Sequence, residues 1–299
     1  MKKTFPLLLF CVALAAFAQD LPRKYADRGE LILTQMVTAP FPHLSRANGH
    51  TYKEQLYSAK DHYSNNTVAL FIPKGFRQTA EVDFVIHFHG WRNTVAGALG
   101  KYQLIEQFCD SGRNAILVVP QGPYDAPDSF GGKLEDPDGF KRFLQEVVQT
   151  LQVRVALKKE CAIGKIILSG HSGGYQVISS ILDRGGLSDH IAEVWLFDAL
   201  YAQTDKFLAW FDTQHGRLLN IYTEHGGTKA ETEKLMDILK KRGTHFFSGQ
   251  EADCKPADLR GSMPIFLFTT LEHDDVLSKH STFREFLETS SLQEIKTTK

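Results

Sequence analysis

Residues 166–182 read IILSGHSGGYQVISSIL. An apolar run opens the stretch, the pentapeptide Gly170-His171-Ser172-Gly173-Gly174 follows, and Val177, Ile178, Ile181 and Leu182 then recur at helical spacing. A buried strand that turns at once into an amphipathic helix needs small residues at the corner, because a side chain there meets the crossing backbone. G-x-S-x-G in that setting reads as a nucleophile elbow, which lifts the serine hydroxyl above the end of the sheet. Ser172 is therefore the expected nucleophile.

An elbow of this kind works with backbone N–H donors on both sides of a developing oxyanion. Residues 82–88, VDFVIHF, form a β-branched and aromatic run that ends in His89-Gly90-Trp91. The expected oxyanion donors are the N–H groups of Trp91 and Gly173, each worth about 3 kcal/mol of transition-state stabilisation. His87 and His89 alternate as two metal ligands on one strand face would, but no third ligand is spaced to complete a zinc site. Neither a metal nor a cofactor is expected.

With a His-Gly strand end and a G-x-S-x-G elbow both present, the chain resembles the α/β-hydrolase superfamily, over roughly residues 68–287. The resemblance implies a triad in the chain order serine, acid, histidine. A histidine in the loop after the last strand is then expected. Residues 264–270, PIFLFTT, read as that strand, which makes His273 the base and leaves His280, beside a helical pattern, as its competitor. Two carboxylates end intervening strands, Asp198 and Glu224. The superfamily's usual acid position favours Glu224. Asp198 is nevertheless the expected acid, with Glu224 the alternative, because Phe197 and Ala199-Leu200 frame Asp198 in apolar surroundings that demand a charged or hydrogen-bonding partner. His225-Gly226-Gly227, in contrast, would hold Glu224 loosely. Asp274 and Asp275 read as solvated or helix-starting carboxylates.

Lys2 and Lys3, an apolar stretch over 5–17 and Ala16-Phe17-Ala18 before Gln19 form the three parts of a secretory signal peptide at residues 1–18. A secreted or periplasmic protein follows as the expectation. No later apolar run is long enough to span a bilayer. The formal net charge is −1 over 299 residues, with signs dispersed, and no basic footprint for nucleic acid is present. Beyond residue 18 the cysteines are Cys109, Cys161 and Cys254, too few for a disulfide scaffold and expected at the sheet end away from catalysis. Oligomeric state leaves no signal.

Strand and helix patterns alternate from Val68 onward. The expected fold is a single α/β-hydrolase domain, with a mostly parallel central sheet, helices on both faces and no large cap domain. Residues 19–66 are expected to form an edge or cover segment, with an edge strand at 31–37, and 67–299 the core. Strands are expected at 68–72, 82–88, 115–119, 191–197, 218–223 and 264–270, and helices near 140–151, 204–211, 230–241 and 279–288. The substrate wall is assigned to Gly90, Trp91, Tyr124 and Tyr201. Together these features point to a secreted serine hydrolase acting on a small or polymeric ester, of an aromatic acid or a carbohydrate. A serine peptidase uses the same triad, and a metal-dependent deacetylase or a non-catalytic binding protein are the readings from other classes.

Overall fold

Successive residues of the central strands are apolar with no polar alternation, as required of a sheet buried on both faces. In the computed structural model, which describes residues 21–154, 157–158 and 161–295, Phe84, Ile86, Ile166 and Leu168 face one core cluster while Val85 and Ile167 face another. Period-two geometry therefore divides each strand between two cores.

The main strands are β1 (Gly29–Gln35), β4 (Thr67–Pro73), β5 (Glu81–Phe88), β6 (Ile116–Pro120), β7 (Ala162–His171), β8 (Ile191–Phe197), β9 (Arg217–Thr223), β10 (Phe247–Gln250) and β11 (Ile265–Thr269), with β2 (His50–Tyr52) and β3 (Gln55–Tyr57) forming a separate hairpin. They make a nine-stranded sheet in the order β1-β4-β6-β5-β7-β8-β9-β11-β10. β4 is antiparallel to both of its neighbours, and the strands from β6 to β10 run parallel.

After a single turn, α1 (Ala59–His62), the helices are α2 (Val95–Lys101), α3 (Leu104–Asp110), α4 (Gly139–Arg154), α5 (Gly174–Arg184), α6 (Thr204–Gln214), α7 (Lys229–Lys241) and α8 (Thr282–Glu288). α4 to α7 cover one face, through residues such as Phe143, Ile178, Phe207 and Leu235. α2, α3 and α8 cover the other, through Leu99, Phe108 and Phe286. The result is the single-domain α/β-hydrolase fold, with only six residues between β8 and α6 and no separate cap there.

Several elements depart from the sequence expectation, among them α2, where no helix was expected. The last helix begins at Thr282 and not at Lys279, because Ser278 and Lys279 close a turn onto the Asp275 carbonyl and Ser281 then sits at φ 59. β10 was not expected: its four residues, FSGQ, carry no alternating pattern and are held by parallel pairing with β11. Its direction carries the chain to the carboxyl end of the sheet just before Cys254, so that cysteine follows a strand's carboxyl end, whereas the sheet end away from catalysis was expected for it. The hairpin within residues 50–57 packs on the loop after β5 and not along the sheet edge, as the cleft contacts below show. Cys109, Cys161 and Cys254 are free thiols. No helix among the described residues is long and apolar enough to cross a membrane. The signal-peptide assignment at 1–18 lies outside the described residues.

Candidate active site

The carboxyl ends of β5, β7, β8, β9 and β11 converge, and each contributes a loop to one region. Ser172 follows β7 at φ 53, a left-handed conformation that costs an L-residue roughly 1–2 kcal/mol and is held here by its surroundings. Its N–H donates to the Phe197 carbonyl at 3.2 Å, tying the elbow to β8. Gly90 makes room for the serine from the β5 loop. A Cβ at Gly90 would lie 2.5 Å from Ser172 Cβ, so no larger residue fits at that approach.

Ser172, Gly173, Trp91, Tyr201 and His273 border a cleft of about 590 Å³. The backbone N–H groups of Trp91 and Gly173 find no acceptor among the described residues. The loop carrying Trp91 is fastened from below by His89. Its Nδ1–H donates to the Gly90 carbonyl at 2.9 Å, and its Nε2 accepts from Gly122 N at 3.0 Å and Gln121 Nε2 at 2.8 Å, which assigns the tautomer. With both nitrogens of His89 engaged and His87 Nδ1 on Ser169 Oγ at 2.9 Å, the alternating histidines present no ligand pair. Their buried positions lower both imidazoles, so both stay neutral.

His273 Nδ1 meets Asp198 Oδ2 at 2.6 Å. Asp198 has no exposed surface, lies at φ 45, and accepts three further hydrogen bonds: from Thr223 N at 3.2 Å, Thr223 Oγ1 at 2.8 Å and Thr228 Oγ1. Burial pushes its carboxyl upward, but the bonds from His273, Thr228 and Thr223 outweigh it, and the net shift is downward. Glu224 is elsewhere, exposed and paired with Lys229 Nζ at 2.7 and 2.9 Å. His280 also points away, onto the Glu251 carboxylate at 2.9 Å. Asp274 pairs with Lys101 at 2.8 Å and Asp275 with Lys279 at 3.4 Å.

Tyr124 is not brought to the cleft; its carbonyl accepts from His62 Nδ1 at 2.7 Å. Of the segment after β6, Ser129 arrives instead and accepts from Trp91 Nε1 at 2.7 Å. Tyr201 donates to the Gly226 carbonyl at 2.7 Å, and burial, with the Asp198 charge, pushes its phenol up to about 12.

Several further residues, not expected from the sequence, belong to the site. Arg92, Asn93, Tyr102 and Tyr175 border the cleft, as does His171, the variable residue of the elbow itself. His171 Nε2–H donates to the His273 carbonyl at 2.9 Å, Tyr102 Oη–H donates to His171 Nδ1 at 3.2 Å, and the two histidine rings lie 4.6 Å apart at 34°. The signal was legible in part. A histidine at an elbow's variable position, under an apolar sheet end, requires partners.

No family model matches the sequence, and no curated protein matches it either. Among solved structures the fold is similar to that of a ferulic acid esterase, at 12% identity and a TM-score of 0.55, covering 87% of this chain and 96% of that one. A feruloyl esterase module from Clostridium thermocellum complexed with sinapinate aligns at 11% identity and a TM-score of 0.53, over 89% and 90%. An acetyl xylan esterase from Aspergillus awamori aligns at 11% identity and a TM-score of 0.52, over 88% and 100%. At these identities the likeness is one of fold, and the fold it defines is that of the α/β-hydrolases.

Proposed function

We propose that the protein is an exported serine hydrolase that cleaves carboxylic esters by acyl transfer. The observation that carries this reading is the 2.6 Å contact between His273 Nδ1 and the buried Asp198 in the cleft that Ser172 enters on a left-handed elbow. Ser172 Oγ attacks the ester carbonyl carbon while His273 Nε2 takes its proton, and Asp198 keeps Nδ1 protonated and stabilises the imidazolium. The carbonyl oxygen becomes an oxyanion between the N–H groups of Trp91 and Gly173. Collapse expels the alcohol with the proton from His273. Water then attacks the acyl-enzyme by the same steps and frees Ser172.

No hydrogen bond joins Ser172 to His273 among the described residues, and such contacts tighten when substrate enters. Trp91, Tyr175 and Tyr201 line the cleft, and aromatic side chains of this kind suit an aromatic acyl group or a sugar. The neighbouring feruloyl and acetyl xylan esterases suggest which esters to try first. Export rests on the sequence of residues 1–18 and is checked by N-terminal sequencing of the mature protein, which should begin at Gln19.

A panel of 4-nitrophenyl acyl esters, feruloyl esters, acetylated sugars and peptide anilides tests the activity. We expect turnover of esters and labelling by a fluorophosphonate. Ser172→Ala should abolish labelling and lower kcat by about 10⁴-fold or more with the melting temperature preserved. Cleavage of anilides in preference to esters would make the protein a peptidase, and full activity in Ser172→Ala would remove the serine mechanism.

A further inference from the structure

We infer that Arg92 makes this site selective for esters that carry a carboxylate close to the scissile bond, an inference that rests on the ester-hydrolase reading above. Arg92 follows the oxyanion-loop residue Trp91 directly, lines the cleft with Ser172, and has no carboxylate partner among the described residues. The other cleft cation, Lys101, is neutralised by Asp274 at 2.8 Å. Arg92 is thus the uncompensated positive charge of the cleft lining.

The guanidinium is held as well as exposed. Arg92 Nη2 donates to Tyr57 Oη at 2.7 Å and lies over the Tyr57 ring at 5.6 Å, while Tyr57 donates onward to Gln55 at 3.1 Å. Tyr57 is 2% exposed, so this anchor does not move freely. The backbone of Arg92 sits at φ 51, a left-handed position fixed by its N–H on the Ala126 carbonyl at 3.0 Å. The same hairpin sets Tyr52 edge-on to Trp91 at 5.2 Å. An arginine side chain loses much conformational freedom when pinned, and a free surface charge gains nothing from it. The guanidinium donors that Tyr57 does not engage form a planar fork in the lining of the cleft that Ser172 enters, and such a fork matches a planar carboxylate, which it binds through charge-assisted hydrogen bonds.

Two matched pairs of esters test this, one with the anion on the acyl side and one with it on the alcohol side: 4-nitrophenyl hydrogen succinate against 4-nitrophenyl pentanoate, and 4-acetoxybenzoate against 4-acetoxybenzamide. The readout is the ratio of kcat/KM within each pair. In the wild-type protein at least one ratio should favour the anion and shrink with added salt. Arg92→Gln should lower that ratio by about tenfold to a hundredfold, mainly through KM, and Arg92→Lys should restore part of it. The inference is overturned if both ratios are the same in Arg92→Gln as in the wild type, and equally if the two members fall together in each pair. Calorimetric titration with 4-hydroxybenzoate separates this failure from that of the ester reading. If no ester is turned over, weaker binding to Arg92→Gln than to the wild type still supports Arg92 as the carboxylate site, and equal binding overturns it.

Discussion

Asp198 is a carboxylate with no exposed surface, and four hydrogen bonds make that position tenable. If it orients His273, Asp198→Asn keeps the shape but favours the wrong imidazole tautomer. The expected result is a fall in kcat of up to about 10⁴-fold with little change in KM. Glu224→Gln only breaks an exposed pair with Lys229 and should leave kcat within about twofold. Steady-state kinetics on a single ester decides between them, and the reverse pattern would hand the role to Glu224. His171 offers a test by pH. Burial first, and His273 second, lower its imidazole from 6.5 to about 4, so between those values the unfolded chain binds a proton that the folded chain does not. Its contribution is complete above pH 6.5 and drains away as pH falls toward 4, by at most about 3 kcal/mol. Urea unfolding across that window should show a shallower pH slope for His171→Gln than for the wild type. Parallel slopes would mean that His171 is not the group responsible.

At the scale of elements, the site is made by strand ends whose loops lean on one another. The turn between β9 and α7 is the clearest case. Gly226 approaches Asp198 so closely that a Cβ would stand 1.8 Å from Oδ2, and Thr228, at the cap position of α7, gives its hydroxyl to Asp198 and not to the helix. The turn is thus folded over Asp198. Gly226→Ala must displace either the turn or the carboxylate, and we expect kcat to fall by at least about tenfold while the far side of the domain is undisturbed. Comparing kcat with the thermal midpoint checks this: a normal kcat would show that the turn relaxes freely. The same glycines suggested from the sequence that Glu224 would be loosely held. Their tertiary purpose, close approach to a residue 28 positions earlier, has no local signature.

Across the whole molecule, the end of the sheet opposite the cleft carries its own polar core. Arg217 at the start of β9 pairs with Glu193 in β8 at 2.5 Å, with side-chain exposures of 6% and 1%. Glu193 also accepts from Trp195 Nε1 at 2.9 Å and Ser291 N at 2.7 Å, and Arg217 donates to Thr289 at 2.9 Å and to the Leu259 carbonyl. These bonds tie two central strands to the segment after α8. Removing one charge leaves the other buried without its partner, so Glu193→Gln should cost about 3–5 kcal/mol in urea unfolding. A loss under about 1 kcal/mol would place the pair with ordinary surface bridges.

Most strands of the large sheet, the helices from α4 onward and the elbow were legible in the amino-acid sequence because their signals are local: apolar runs of strand length, helical recurrence in residues 140–151 and 177–182, and glycines spaced about Ser172. That a histidine should follow the last strand came from the resemblance to the α/β-hydrolases, and the apolar run at residues 264–270 pointed it to His273. What tertiary structure alone decided is which side chains meet. Asp198 finds Thr223, Thr228 and His273, His171 finds the His273 carbonyl, Tyr57 finds Arg92, and Tyr124 turns away to His62, all across gaps of tens of residues. β10 belongs with them, since four residues without an apolar alternation become a strand only when β11 lies alongside. Periodicity reports how one segment meets its surroundings, whereas hydrogen-bond partners depend on register and crossing order between segments, and these are set when the sheet assembles.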